Sequence, residues 1–157
     1  MPLTAAIATL GHRYTMYVDS RVGTPSRFHD PNGRVVATAT LRMERAGVVQ
    51  IGAFPYAFMI SGEGSSIHDR IGRRTSATSL DVVTLIAGER SPARPFELEA
   101  TGPDRYCLYR RDHNLAVLNH ARIGNRVEMV GDSSLPGFVG LLATLIVAYV
   151  PPRYAWA

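Results

Sequence analysis

Hydrophobic and polar positions alternate with a period of two along most of this chain, which is typical of β-strands with one buried face. The segments that show this alternation, or that carry runs of β-branched residues, are RYTMYV (13–18), RVVATATLRM (34–43), VVQIGAF (48–54), YAFMIS (56–61), LDVVTLI (80–86), FELEA (96–100), YCLYR (106–110), LAVLNHA (115–121) and NRVEMV (125–130). Gly, Pro, Asn or Asp separates nearly every pair of them, and no segment before Asp132 shows a helical stripe. The pattern predicts a mainly β domain, either a sandwich or a barrel.

Repeated motifs around an aspartate predict hairpin turns between these strands. In FHDPNGR (28–34), Asp30, Pro31 and Asn32 suit successive positions of a type I turn, and Gly33 suits the left-handed residue of a bulge. The segment IHDRIGR (67–73) repeats this spacing, and a weaker copy lies between YCLYRR and LAVLNHA. The residues to which we therefore assign a structural role in turns are Asp30, Gly33, Asp69, Gly72, Asp112 and Asn114.

Candidate chemistry is sparse in this sequence. His29 and His68 each precede a turn aspartate, and we interpret them as strand-end residues. The alternative is a small β-barrel enzyme or ligand carrier with His29, His68, Asp69 and His120 in its mouth. No metal-ligand spacing, nucleophile elbow or phosphate-binding glycine loop occurs, and the single Cys107 is interpreted as a small buried apolar residue. We therefore predict no catalytic residue, no metal and no cofactor.

The C-terminal region predicts a helix of a different character. Residues 135–150 are uncharged and apolar, Pro136 suits a first helical turn, and prolines follow at 151 and 152. Its one polar side chain, Thr144, can bond back to the carbonyl of Gly140. A helix that is apolar on every side must be surrounded, and from Pro136 it is about 21 Å long, short of a bilayer span.

We predict that this helix, assigned to 132–150, lies in the protein core, with Leu142 among the residues that fill it. The alternative is a subunit of a membrane-associated complex that is anchored by the same segment. The tail at 151–157 contains Tyr154 and Trp156, which suit a membrane interface or the mouth of a barrel.

Composition and charge indicate which classes of protein and of binding partner are compatible with this chain. The chain has 157 residues, of which 46% are hydrophobic and 19% charged, and this predicts one globular domain over 1–157. The net charge is +4, and all 17 basic residues are arginine, whose planar guanidinium suits phosphate or carboxylate. The arginines form no long run, so there is no specific signal for nucleic acid. The opening segment lacks the features of a secretory signal, which predicts a cytoplasmic location.

The combination of hairpins with one apolar C-terminal helix resembles the tubby-like superfamily, which includes phospholipid scramblases and LURP-one-related proteins. The residues that carry the resemblance are FHDPNGRVVATATL, LYRRDHNLAVLNHARI and DSSLPGFVGLLATLIVAYV. It implies a closed antiparallel β-barrel of about 12 short strands with a buried hydrophobic C-terminal helix, a geometry that leaves no exposed sheet edge. The basic phosphoinositide motif of tubby proteins and the cysteine-rich stretch of scramblases are absent, so neither set of functional residues is carried over.

These observations predict a binding protein rather than an enzyme. Its partner would be an anionic membrane lipid or another protein, which would place it in the cytoplasm and at the periphery of a membrane. The binding groups would be arginines close to predicted turns. They are Arg42, Arg45, Arg73, Arg74, Arg110 and Arg111.

Overall fold

A computed structural model describes residues 3–60, 77–79, 83–85, 96–110, 115–131 and 137–151. Within these ranges the chain forms two helices and eleven strands, and nine of the strands have five or more residues. The helices are α1 (Leu3–Ala8) and α2 (Gly137–Tyr149). The strands are β1 (Arg13–Tyr17), β2 (Pro25–His29), β3 (Val35–Met43), β4 (Ala46–Ile51), β5 (Phe54–Ile60), β6 (Ala77–Ser79), β7 (Val83–Leu85), β8 (Phe96–Gly102), β9 (Arg105–Arg110), β10 (Leu115–Ile123) and β11 (Arg126–Gly131).

The strands form one antiparallel sheet in the order β6-β8-β9-β10-β11-β1-β2-β3-β4-β5-β7. Strands β1 to β5 and strands β8 to β11 each pair with the next strand along the chain, which makes two meanders. Pairing of β1 with β11 joins them, with Arg13 opposite Val130 and Tyr17 opposite Arg126. The mainly β class predicted from the period-two pattern is correct.

The prediction of a closed barrel is wrong, because the sheet is open. In the described residues β6 pairs only with β8, and β7 pairs only with β5. Eleven strands with antiparallel neighbours leave the two end strands pointing in the same direction, so β6 and β7 could close the sheet only as a parallel pair. Parallel neighbours need a crossover of a dozen or more residues, and only residues 80–82 separate these two strands.

The sheet curls around α2, whose residues from Leu141 to Ala148 are at most 1% exposed. Strands four places apart in sheet order, β1 and β5, both contact the helix. The Tyr14 hydroxyl of β1 lies 2.8 Å from Thr144 Oγ1, and the Tyr149 ring stacks on Phe58 of β5 at 6.1 Å between ring centroids. The inner face of the sheet and α2 therefore share one hydrophobic core, and Thr144 donates to the carbonyl of Gly140 at 2.8 Å as predicted.

Helix α1 covers the end of the curled sheet at which α2 begins. Ile7 of α1 packs so closely on α2 that a Cβ added to Gly137 would lie 2.5 Å from Ile7 Cγ2. Helix α1 was not predicted from the hydrophobic pattern, because six residues are too few to show a helical stripe of apolar positions. Ala6, Ile7 and Leu10 are nevertheless buried in the core.

The turn predicted at Asp30 is present between β2 and β3. Gly33 N–H donates to the Asp30 carbonyl at 2.9 Å, and Gly33 has a φ of 80° in the left-handed region that glycine favours. The Asp30 carboxylate accepts from the backbone N–H groups of Asn32 and Arg34, each at 2.9 Å. The corresponding turn residues Asp69, Gly72, Asp112 and Asn114, together with Pro136, lie outside the described residues.

Candidate functional site

Among the connections that the structure describes, four lie at one end of the sheet, because successive turns of a meander alternate between its two ends. They are residues 18–24, 44–45, 103–104 and 124–125, which follow β1, β3, β8 and β10. We call this the arginine end, for the residues given below. The turn at Asp30 and the start of β1 lie at the opposite end.

Backbone hydrogen bonds tie the connections of the arginine end into a continuous surface. In the loop that follows β1, Val18 N–H donates to the carbonyl of Asn125 at 2.6 Å, and Gly23 N–H donates to the carbonyl of Leu41 at 2.9 Å. This loop is therefore held between the β10–β11 turn on one side and the end of β3 on the other. The positions of the three segments relative to one another are fixed by main-chain contacts.

The arginine end carries a surplus of positive charge. Its carboxylates belong to Asp19, Glu44 and Asp104, which lie in the connections. Its arginines lie in the connections or within two residues of them, and they are Arg21, Arg42, Arg45, Arg105, Arg122 and Arg126. Within the described residues these are six guanidinium groups against three carboxylates, and Glu128, the partner of Arg126, reduces the formal surplus to two.

Arg21 and Arg126 form ion pairs with neighbouring carboxylates. Arg21 Nη2 lies 2.7 Å from Asp19 Oδ2, and Arg126 Nη2 lies 3.5 Å from Glu128 Oε1. The hydrogen bonds from Arg21 lower the pKa of Asp19 to about 2. Both pairs reach solvent, so they contribute little to stability and can rearrange when another anion approaches.

Arg122 has a structural role. Its Nη1 donates to the carbonyls of Val147 and Ala148, each at 2.8 Å. These carbonyls belong to the last turn of α2, where the helix dipole and the unpaired carbonyl oxygens favour a cation. The backbone N–H of Arg122 also donates to the Asp104 carbonyl at 2.8 Å. Arg122 therefore fastens the C-terminal end of α2 to the arginine end of the sheet.

Arg42 and Arg105 remain available to bind an anion. Both are exposed, and neither side chain has an ion pair or hydrogen bond within the described residues. Arg42 lies near the end of β3 and Arg105 at the start of β9, so they flank the surface on different turns. Arg45, between them in chain order, is half-buried in the β3–β4 turn.

The arginines predicted to bind a ligand do not all lie at the same end of the sheet. Arg42 and Arg45 lie at the arginine end, whereas Arg110 ends β9 at the opposite end of the sheet. Arg73, Arg74 and Arg111 lie outside the described residues. Arg105 was not among the predicted binding residues. The alternation of turns between the two ends groups it with Arg42 only when the strand order is known.

The histidines proposed to share a barrel mouth do not converge. His29 lies on the outer face of β2, where its Nδ1 is 3.1 Å from the Gly33 carbonyl oxygen and its ring packs edge-on against Tyr17. His120 is 2% exposed and points from β10 toward α2 on the inner face. The other two proposed groups, His68 and Asp69, lie outside the described residues.

His120 belongs to a buried polar network between the sheet and α2. The Thr144 proton goes to the Gly140 carbonyl, so Thr144 Oγ1 accepts from the Tyr14 hydroxyl and from His120 Nε2, the latter at 3.0 Å. Nε2 must then carry the proton of the neutral imidazole. His120 Nδ1 has no hydrogen-bond partner among the described residues. Burial lowers the pKa of His120 to about 4, against a smaller opposing effect of the Gly140 backbone.

We expect His120 to make stability depend on pH between 5 and 7. The pKa is about 4 in the folded chain and 6.5 when exposed, so the unfolded chain binds a proton that the folded chain excludes. The free energy of unfolding should therefore fall by about 2 kcal/mol from pH 7 to pH 5, as urea denaturation at the two pH values would measure. His120→Gln retains an amide donor toward Thr144 and should remove this dependence, whereas an unchanged dependence would assign it to other groups.

A depression of about 580 Å³ lies on the outer face of the sheet, and strands β8 to β11 form its floor. Its lining includes Ala121, with Arg105, Cys107, Ile123 and Glu128. Cys107 is half-buried there and does not belong to the core, in contrast to its sequence-based interpretation. Because Asp104 also lines it, two carboxylates offset the one guanidinium of Arg105, and the depression does not by itself select an anion.

In the described part of the chain, no three His, Cys, Asp or Glu side chains are grouped so that they could hold a metal ion. Within the same ranges, no helix combines the length and the apolar character needed to cross a membrane. Comparison with protein-family models, with curated proteins and with solved structures found no match to this chain.

Proposed function

We propose that this chain is a non-enzymatic binding protein that docks on anionic lipid membranes through the arginine end. The observation that carries the proposal is the pair of exposed guanidinium groups, Arg42 and Arg105, on a surface that main-chain hydrogen bonds hold together. A guanidinium presents several N–H donors in one plane, which matches the oxygens of phosphate and carboxylate headgroups. Each arginine near an anionic membrane surface contributes about 1 kcal/mol of binding.

The arrangement suits an extended surface better than a small enclosed ligand. Arg42 and Arg105 are on different turns, and Arg21 and Arg126 lie near the same end with ion pairs that face solvent. Anionic lipids present many headgroups over an area of this kind, so each arginine can bind a separate one. The burial of α2 inside the sheet favours this peripheral attachment over the alternative in which that helix serves as the anchor.

The tubby-like assignment remains a prediction that rests on the pattern of hairpins and the apolar helix. The open sheet departs from the closed barrel that the resemblance implies. The proposed function does not depend on the assignment, since it is argued from charges and contacts at one end of this sheet.

Sedimentation with lipid vesicles tests the proposal. We expect binding to phosphatidylcholine vesicles that contain about 30% phosphatidylserine, and none to pure phosphatidylcholine, at about 0.1 M salt. The double variant Arg42→Gln/Arg105→Gln should weaken the binding by about 30-fold, because two surface arginines are removed. Its melting temperature should stay close to that of the unaltered chain, since neither side chain has a partner in the described residues.

Arg13→Gln/Arg34→Gln is the matched control. It removes the same charge from exposed arginines at the opposite end, and neither side chain forms an ion pair within the described residues. A surface-specific interaction should leave this variant within a few-fold of the unaltered chain. Equal losses of vesicle affinity in the two double variants would show attraction by net charge alone. Equal binding to vesicles with and without phosphatidylserine would contradict the proposal.

A further inference from the structure

The arginine end also exposes large apolar side chains. Val22 is 60% exposed, Met43 is 63% exposed and Ile123 is 54% exposed, more than any other large hydrophobic residue in the described part of the chain. Each follows an arginine directly, in the pairs Arg21–Val22, Arg42–Met43 and Arg122–Ile123. Exposed apolar groups of this size cost free energy in water unless another surface covers them.

The three apolar residues lie on neighbouring segments. The loop that carries Val22 bonds through Gly23 to Leu41, two residues before Met43. The same loop bonds through Val18 to Asn125, two residues after Ile123. These hydrogen bonds place the Val22 loop between the other two segments, so the three exposed apolar residues lie on adjacent segments of the arginine end.

We propose that Val22, Met43 and Ile123 enter the interfacial region of a lipid bilayer while Arg42 and Arg105 bind its anionic headgroups. This inference rests on the proposed function and identifies its partner as an intact bilayer, distinct from a soluble anion. An arginine beside an apolar residue matches the order of layers at a membrane surface, with charged headgroups above hydrocarbon. A soluble phosphate compound offers only the first of these layers.

The positions of Arg21 and Arg122 are consistent with shallow insertion. Arg21 is paired with Asp19 and Arg122 is held by the carbonyls of α2, so neither guanidinium has to leave its partner for the adjacent apolar side chain to enter lipid. Arg42 has no such partner and can reach a headgroup beside Met43. The main-chain hydrogen bonds of the surface mean that little conformational freedom is lost on binding.

The triple variant Val22→Ser/Met43→Ser/Ile123→Ser tests the insertion. We expect its affinity for vesicles with about 30% phosphatidylserine to fall by about 30-fold or more, since three apolar side chains no longer leave water. The unaltered chain should raise the surface pressure of a phosphatidylserine-containing monolayer, and the triple variant should not. Binding of inositol hexakisphosphate, used as a soluble polyanion, should be the same for both proteins because the arginines are retained.

The opposite end provides a matched triple control. Val35→Ser/Phe54→Ser/Val130→Ser replaces large apolar residues that are 52%, 39% and 40% exposed there. This control should bind vesicles and raise monolayer pressure like the unaltered chain. Melting temperatures of both triple variants establish that they are folded before the binding is compared.

The outcomes separate the two proposals. If the serine variant at the arginine end binds vesicles and raises pressure like the unaltered chain, while Arg42→Gln/Arg105→Gln binds weakly, insertion is refuted and the headgroup-binding function stands. If neither variant changes vesicle binding, both proposals fail. If the unaltered chain binds inositol hexakisphosphate but not the vesicles, its partner is a soluble anion and the membrane function is overturned.

Discussion

Leu142→Asp is expected to prevent this protein from folding as a monomer. Leu142 has no exposed surface, and it lies in the middle of the helix around which the sheet curls. A carboxylate there would lose its hydration among apolar side chains or would stay protonated, at a cost of about 5 kcal/mol or more. That cost is comparable with the entire stability of a typical domain. Circular dichroism and size-exclusion chromatography should show loss of the cooperative transition and aggregation.

Val35→Asp is the control for the charge itself, because Val35 is 52% exposed at the opposite end of the sheet. It should change the free energy of unfolding by less than about 1 kcal/mol. Leu142→Met keeps the volume and the apolar character, so it should fold with a loss below about 1.5 kcal/mol. A soluble, cooperatively folding Leu142→Asp protein would mean that α2 does not occupy the core.

Gly47→Ala is expected to have the second-largest effect, although it adds only one methyl group. Gly47 of β4 pairs with Leu41 at an irregularity in the β3–β4 register. A Cβ at Gly47 would overlap the Thr40 carbonyl oxygen and lie 2.9 Å from the Thr40 carbonyl carbon. Because these are backbone atoms on a paired strand, no rotamer change relieves the overlap. We expect a loss of about 3 kcal/mol in the free energy of unfolding, as measured in urea.

Gly102→Ala is the matched control for Gly47→Ala. Gly102 is also a buried strand glycine, but its added Cβ would meet only Arg105 Cβ, at 3.8 Å, which is an ordinary contact. It should cost less than about 1 kcal/mol. If the two substitutions lower the free energy of unfolding equally, the cost comes from replacing any buried strand glycine. That result would contradict the close approach of β3 to Gly47.

Local features of this fold follow from short stretches of sequence. The run of uncharged apolar residues predicts a helix from Pro136, and α2 extends from Gly137 to Tyr149. Alternation predicts β3 and β9 nearly to the residue, because one face of each strand is buried and the other is not. The Asp30 turn is specified by the conformational preferences of its own four residues.

Features that depend on strand order were not predictable in this way. Whether the sheet closes depends on the number and direction of all its strands, which no single segment specifies. Of the predicted strand 80–86, only the residues of β7 are described. The arginine end likewise requires the order of the turns, because Arg42 and Arg105 are far apart in sequence. His120 shows the same limit, since its burial depends on Thr144 of a distant helix and not on its own neighbours.

The place of α2 in chain order has a consequence for biosynthesis. The helix that fills the curled sheet follows every strand, and the pairing of β1 with β11 joins residues more than a hundred positions apart. A ribosome that adds about 5–20 residues per second releases the strands before the helix that covers their apolar faces. The nascent chain therefore cannot complete its core as it emerges, and it has to carry uncovered strands until residue 149 has left the exit tunnel. Chaperone capture of the unfinished sheet is thus expected to raise the yield of this protein.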